Sequence, residues 1–246
     1  MLKTRSEPSN RPGSLRLAVS KSRNPNPIPE LRQLVLLVRA ALASGRRPWL
    51  GLAMGTASVV VWLLLRSHSI GPTVWHSGAV FASLPLGTEI LRLPMSLFIP
   101  TPLLPIWGAV AQLVIVLGIG EVLFGRWVII VVAAIGHVAS TLAARVIIDS
   151  IHGSLFGLTP ALAHMLDTGP SAAATAAGAF LLLGLGLKRC AALLTVSLLV
   201  AAFFIPGIDG VEHMIALACG FLAAALLPRF FHRAPATEEL SAAALQ

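Results

Sequence analysis

The sequence predicts an all-α membrane protein with six transmembrane helices. Of its 246 residues, 56% are hydrophobic and 11% are charged, and the mean hydropathy is +0.85. This composition is typical of a polytopic membrane protein rather than of a soluble domain. Six apolar runs approach the roughly 17–25 residues that a membrane span requires. The long connection between the first and second runs contains apolar patches and several prolines, so we expect it to be partly inserted in the membrane.

The six runs form one predicted membrane domain, residues 49–228. We expect its spans at about 49–65, 103–124, 127–148, 170–187, 190–205 and 211–227. The fifth run is short because Pro206 ends it. Tight connections at Gly125-Arg126 and Lys188-Arg189 join the second span to the third and the fourth to the fifth.

The segments outside the membrane domain are basic or polar. Residues 1–48 hold ten of the eighteen Lys and Arg residues. No aromatic residues that could stack on bases are interleaved with these charges, so we expect contact with the lipid bilayer and not with nucleic acid. Residues 1–30 are expected to be disordered. Residues 31–44 are expected to form a helix at the membrane interface, with packing against the bundle as the alternative.

The distribution of charge predicts the orientation. With six spans, five cations fall on the side of the basic N-terminus, namely Arg126, Lys188, Arg189, Arg229 and Arg233. The opposite side holds Arg92 and Arg145 together with five acidic residues, which are Glu89, Asp149, Asp167, Asp209 and Glu212. The positive-inside rule then predicts a multi-pass protein of the cell membrane. Its N-terminal region and its short tail, 229–246, would both be cytoplasmic.

Two polar side chains lie near the starts of otherwise apolar helices. Ser171 follows Gly169-Pro170 at the start of the small-residue fourth span, and His213 lies near the start of the sixth. Polar groups at membrane depth are costly and usually mark function. An imidazole that accepts the proton of a serine makes attack on a carbonyl feasible. Ser171 and His213 are therefore the candidate nucleophile and general base, and backbone N–H groups near Gly169 and Ala172 are candidate donors to an oxyanion.

The spacing of small residues predicts how these two helices pack. His213, Ala216 and Gly220 share one face of the sixth span. Packing of this face on the small residues of the fourth span would bring His213 toward Ser171. Two alternatives involve no chemistry, because Ser171 could be a helix N-cap and His213 a hydrogen-bonding residue between helices.

With these motifs the chain resembles the rhomboid family of intramembrane serine proteases. The residues that carry the resemblance are Gly169, Ser171 and Ala172 in the fourth span, where Ala172 replaces the usual second glycine; His213, Ala216 and Gly220 in the sixth; and Glu121 and Gly125 at the end of the second. The resemblance covers about residues 49–228. It implies a six-helix bundle with a water-filled cavity that opens outward, and endopeptidase cleavage of membrane-anchored proteins near the outer membrane face. It implies no cofactor and no metal.

The chain departs from the family pattern in the second span. Counted back from Glu121, the His and Asn that help to hold the oxyanion in the family would fall at Pro105 and Ala109. Neither side chain can donate a hydrogen bond. Loss of one such donor costs roughly 10²–10³ in rate. The departure favours a second hypothesis, a proteolytically inactive rhomboid-fold protein that binds membrane helices.

A few other polar residues complete the prediction. His137 could pair with Glu121 or make a packing hydrogen bond between helices. Asp167 could orient His213 or form a turn, and Glu212, as the direct neighbour of His213, is not expected to face it. A small transporter is the third functional alternative, but the chain lacks the paired interrupted helices typical of that class. No Cys/His cluster has the spacing of metal ligands.

Overall fold

The computed structural model describes residues 26–100, 105–150, 159–167, 169–204 and 207–227, and within these ranges the chain is helical without any strand. The α-helices are α1 (Ile28–Ala43), α2 (Trp49–Leu65), α3 (Gly71–Gly78), α4 (Leu86–Ser96), α5 (Ile106–Gln112), α6 (Gly118–Phe124), α7 (Arg126–Ser150), α8 (Ser171–Gly184), α9 (Lys188–Phe204) and α10 (Ile208–Leu226). A π-helical turn, Leu113–Leu117, joins α5 to α6, and a 3₁₀ turn, Pro160–His164, precedes α8.

The all-helical fold class is confirmed, and three of the described helices are long and apolar enough to cross a membrane. These are the continuous helix Ile106–Phe124, α7 and α10, with 19, 25 and 19 residues. Helices α2 and α8 are apolar but shorter, with 17 and 14 residues. At about 1.5 Å per residue, α8 extends about 21 Å, which is less than the roughly 30 Å of a bilayer core. Polar atoms at an end of α8 must therefore be shielded by protein or reached by water.

The helix bounds differ from the predicted spans at several ends. Helix α2 has the predicted bounds, whereas α8 ends three residues early because Gly186, with a φ of +74°, turns the chain. Residues 28–30, which were expected to be disordered, form the first turn of α1. The predictions for 1–25 and 229–246 lie outside the described residues.

The centre of α8 is the most tightly packed part of the core. A Cβ atom at Gly220 of α10 would lie 2.2 Å from the carbonyl oxygen of Ala176, and one at Gly136 of α7 would lie 2.2 Å from Cβ of Ala176. Glycine at both positions lets the three backbones approach this closely. Phe180 lies one turn farther along α8 and is fully buried. The stripe of Ala216 and Gly220 thus packs on the fourth predicted span, as its spacing predicts.

The second predicted span is held to α2 by small residues and by Glu121. A Cβ at Gly51 would lie 2.7 Å from the backbone nitrogen of Gly118. The buried Glu121 carboxylate accepts a hydrogen bond from the N–H of Leu50 and pairs with Arg126 at 3.5 Å. Gly125 then turns the chain into α7 with a φ of +90°. Glu121 therefore has a structural role at the start of α2.

The N-terminal helix α1 is attached to the start of α9. The Glu30 carboxylate accepts hydrogen bonds from the N–H groups of Arg189 and Cys190, both at 2.9 Å. A carboxylate at this position satisfies donors that a helix N-terminus leaves free. Leu31 and Val35 on α1 are exposed. The helix thus packs on the bundle and also presents apolar side chains outward, so the two interpretations of residues 31–44 do not exclude each other.

The connection between α2 and α5 contains two helices, α3 and α4, and an ion pair fastens α4 to α7. Glu89 on α4 is fully buried and forms an ion pair with Arg145 on α7. Arg145 also donates a hydrogen bond to the carbonyl of Leu84 at 2.7 Å and lies 3.4 Å from Asp149. Burial raises the pKa of Glu89, although Arg145 opposes this shift. The ion pair and the hydrogen bond to Leu84 thus attach this connection to α7.

Candidate active site

A cavity of about 570 Å³ lies between the continuous helix Ile106–Phe124, α8, α9 and α10. Its wall is mostly apolar. The polar or charged residues that line it are Gln112, Ser171, Thr175, Asp209 and His213. Leu34 of α1 and Leu182 near the end of α8 also line it, so the cavity extends along much of the length of α8. The two residues predicted to form a dyad therefore open into one cavity.

Ser171 is positioned by the sharp turn that starts α8. Gly169 has a φ of +117°, a conformation that favours glycine, and its N–H donates to the carbonyl of Ser96 at 2.9 Å. Pro170 is the N-cap residue, and no side-chain hydrogen bond caps the helix. Ser171 is thus the first helical residue and not the N-cap, and its half-buried side chain lines the cavity.

The first turn of α8 also offers free backbone donors. The first hydrogen bond of the helix runs from the N–H of Ala174 to the carbonyl of Pro170, at 2.8 Å. The N–H groups of Ser171 and Ala172 have no acceptor among the described residues. Such groups at a helix N-terminus can stabilise negative charge next to the serine.

His213 lies in the second turn of α10, on the face that packs against α8. Its side chain is half-buried and lines the cavity, three residues before the fully buried Ala216. No hydrogen bond joins Ser171 to His213 in the described part of the chain. The structure therefore brings the two side chains to one cavity without the contact that proton transfer requires. Catalytic hydrogen bonds in unliganded sites are often longer than in the reacting complex.

Sequence reasoning missed three other polar residues of the cavity, of which Thr175 lies one turn after Ser171 on α8. Asp209 precedes His213 by four residues on α10, a spacing that places both on one helix face. Gln112 enters the cavity from α5, just before the π-helical turn. The i,i+4 spacing could have identified Asp209. A lone glutamine in an apolar span gives a weaker signal, because its direction depends on the helix rotation.

Asp167 and Glu212 form a carboxyl pair beside the site. Glu212 is buried and faces Asp167, and the side chain of Thr141 on α7 lies near both. Burial raises the pKa of Asp167 to about 6, and the charges of Asp209 and Glu89 act in the same direction. The Asp167 carboxyl therefore faces Glu212, so its predicted role in orienting His213 has no support here.

His137 has a partner other than Glu121. Its Nε2 atom lies 2.9 Å from Oγ of Ser96 and 3.3 Å from the carbonyl oxygen of Leu93. A carbonyl oxygen can only accept, so a protonated Nε2 satisfies both contacts. Ser96 Oγ in turn donates to the same Leu93 carbonyl at 2.8 Å. This fully buried pair fastens α4 to α7. His137 therefore makes a packing hydrogen bond between helices, which was the second of its two predicted roles.

The comparisons with known proteins identify no relative of this chain. No protein-family model, no curated protein and no solved structure matches the chain. Among the described residues, no group of three or more His, Cys, Asp or Glu side chains could hold a metal ion. The cavity and the side chains that line it therefore carry the functional assignment.

Proposed function

We propose that this protein is an intramembrane serine endopeptidase with a rhomboid-like arrangement of six spans. The observation that carries the proposal is the shared cavity, which Ser171 and His213 enter from α8 and α10. The close contact of Gly220 with Ala176 supports it, because this contact keeps the two helices in a fixed register. The three long apolar helices and the shorter α2, α8 and α9 would supply the six spans.

In the proposed reaction, each polar group at the start of α8 and on α10 has one role. Oγ of Ser171 would attack the peptide carbonyl carbon while His213 accepts the hydroxyl proton. The tetrahedral oxyanion would receive hydrogen bonds from the free N–H groups at the start of α8. Collapse of the intermediate breaks the C–N bond, and the imidazolium gives its proton to the leaving amine. A water activated by the same imidazole then hydrolyses the acyl-enzyme.

The apolar wall of the cavity suggests the substrate class. Leu194 and Leu198 of α9 line one side, and Ile115 and Val116 of the π-helical turn also contribute to the wall. Apart from Cys190 and Ala191 in its first turn, no residue of α9 is buried. Such a wall suits an apolar segment of a membrane-anchored protein better than a soluble peptide. Both termini would be cytoplasmic, with the dyad near the outer face of the cell membrane.

Covalent labelling of the purified protein with a fluorophosphonate tests the proposal directly. Labelling should occur at Ser171, as located by mass spectrometry, and should be lost in Ser171→Ala and His213→Ala. Ser197→Ala removes an exposed hydroxyl on α9, and His164→Ala removes an exposed imidazole in the 3₁₀ turn. Both of these controls should label at the wild-type rate, since neither residue lines the cavity. Equal labelling of His213→Ala and wild type would refute the dyad.

Two observations favour the second candidate, an inactive protein that binds membrane helices. Ser171 and His213 are not hydrogen bonded to each other in the described residues, and Ala109 offers no donor to the cavity. Folded wild-type protein that resists the fluorophosphonate over the whole range pH 6–9 would favour this function. Co-purification of a membrane helix equally with wild type and Ser171→Ala would support it further.

A further inference from the structure

The cavity that holds the candidate dyad also contains a carboxylate, that of Asp209. Among the described residues that line the cavity, only Asp209 and His213 have ionisable side chains. Helices α8 and α9 and the continuous helix Ile106–Phe124 contribute neutral side chains to the wall. A protonated His213 therefore has one counter-charge among the described residues of the cavity, and Asp209 carries it.

Asp209 and His213 are neighbours on the surface of α10. Residues four apart lie on the same face of a helix, with Cβ atoms about 5–6 Å apart. Side chains of a helix lean toward its N-terminus, so the imidazole of His213 leans back toward the turn that carries Asp209. The charge of Asp209 accordingly acts on this imidazole. The carboxylate and the imidazole thus interact within the cavity that both of them line.

The register of α10 against α8 places Ser171 close to the depth of His213. The carboxyl pair beside the site joins the segment before α8 to the start of α10, and Gly220 packs on Ala176 farther along both helices. Residue numbers increase together in these two contacts, so α8 and α10 run in the same direction. Their spacing places His213 and Ser171 within one helical turn of each other in depth, about 5 Å.

We infer that Asp209 is a positioning residue that holds the imidazole of His213 toward Ser171 and stabilises the imidazolium formed in the reaction. This inference rests on the proposed endopeptidase function. The proton of the Ser171 hydroxyl passes to His213 and then to the leaving amine, while Asp209 stays ionised and takes no proton. Asp209 thereby adds an acidic third member to the dyad.

A purely structural role for Asp209 predicts a different result. Asp209 lies in the first turn of α10, where a negative charge stabilises the helix end. Its charge also acts on Asp167 before α8 and on Glu212 of α10. Neither of these contributions sets the pH at which His213 can accept a proton. The pH dependence of the reaction therefore separates positioning from a structural role.

The experiment measures the second-order rate constant for fluorophosphonate labelling of Ser171 between pH 5 and pH 9. Asp209→Asn removes the charge and keeps the shape of the side chain, so labelling at high pH should slow by roughly 10². The pH midpoint of labelling should fall by about one unit, because the imidazolium loses its counter-charge.

Two further variants test whether the charge of Asp209 is the cause. Asp209→Glu keeps the charge on a longer side chain, so it should keep the wild-type midpoint and recover part of the rate. Asp149→Asn is the matched control, because it removes a carboxylate that is 57% exposed on α7. This control should label as the wild type does, since Asp149 does not line the cavity.

The outcomes distinguish this inference from the function on which it rests. Wild-type kinetics in Asp209→Asn overturn the role of Asp209 and leave the dyad in place. A slow Asp209→Asn variant with the wild-type midpoint also overturns it, in favour of stabilisation of the helix end. A midpoint that falls equally in Asp209→Glu or in Asp149→Asn overturns it as well. Absence of wild-type labelling overturns the endopeptidase function and this inference together.

Discussion

Replacement of Gly220 by alanine is expected to separate α10 from α8 and to damage both stability and the site. The added Cβ would lie 2.2 Å from the carbonyl oxygen of Ala176 and 2.7 Å from Cβ of Ala179. Both atoms belong to α8, and the nearer one is backbone, which cannot rotate away. Ordinary contact begins at 3.4 Å, so the shortfall from 2.2 Å requires the helices to move apart by about 1.2 Å.

The cost of this movement can be set against the gain from alanine. Overpacking of a well-packed core costs typically about 1–3 kcal/mol, while alanine gains up to about 1 kcal/mol over glycine in a helix. Because the nearer atom is backbone, the cost lies in the upper half of that range, about 2–3 kcal/mol. The net expectation is a loss of about 1–2 kcal/mol, and more if the neighbouring contact of Gly136 with Ala176 is also disturbed. Since His213 is two turns from Gly220 on the same helix, a shift of about 1 Å could also cost roughly 10² in the labelling rate of Ser171.

Thermal unfolding in detergent, followed by circular dichroism, measures the stability part of this prediction. Gly178→Ala is the matched control on α8, because its added Cβ would have no neighbour closer than 3.8 Å. That variant should be as stable as the wild type or more so. A Gly220→Ala variant that melts and labels as Gly178→Ala does would refute the packing that we describe for α8 and α10.

Three further predictions concern charged groups. The pKa of Asp167 is about 6 in the folded protein against an ordinary 3.8, so the folded state holds this proton more tightly. The stability that it contributes is present below about pH 4 and is lost as the pH rises through about 6. The melting temperature of the wild type should therefore fall more between pH 4 and pH 6 than that of Asp167→Asn. If the melting temperatures of the two proteins depend equally on pH, the pairing of Asp167 with Glu212 is wrong. Arg145→Met leaves the carboxylate of Glu89 buried without its partner and should cost about 3–5 kcal/mol. Addition of Glu89→Gln should restore much of this loss in the same melting assay. Glu30→Gln weakens the hydrogen bonds at the start of α9 by about 1 kcal/mol, so trypsin should cleave within α1 about five times faster. An unchanged cleavage rate would show that α1 is held by packing alone.

Helix positions were predictable because hydrophobic runs and their breakers act locally. Trp49–Leu65 has the predicted bounds, and the other five predicted spans agree with described helices to within three residues at each end. Helices α3 and α4 lie in the first long connection, where no helix was predicted. The differences occur where a glycine turn or a short first turn decides the boundary. The contact between the Ala216–Gly220 stripe and α8 was also predictable, because the 3.6-residue period places small residues on one face.

The partners of individual polar side chains were harder to predict. His137 was a candidate partner for Glu121, yet it contacts Ser96, which comes from a short helix in the first loop. Asp167 was considered with His213, yet it faces Glu212. In each case the sequence showed that a polar residue was present. It did not show the partner, because the partner lies on another helix and local patterns do not determine how that helix is rotated.

The sequence by itself determined the helical membrane class, the candidate pair Ser171 and His213, and the small-residue stripe that joins their helices. These follow from composition and periodicity, which are properties of neighbouring residues. Only the tertiary structure decided that both side chains open into one cavity, that Gln112 and Asp209 share it, and that Asp167 faces Glu212. These placements depend on helix rotation and depth. Rotation and depth depend in turn on backbone contacts such as that of Gly220 with Ala176, between residues far apart in the chain.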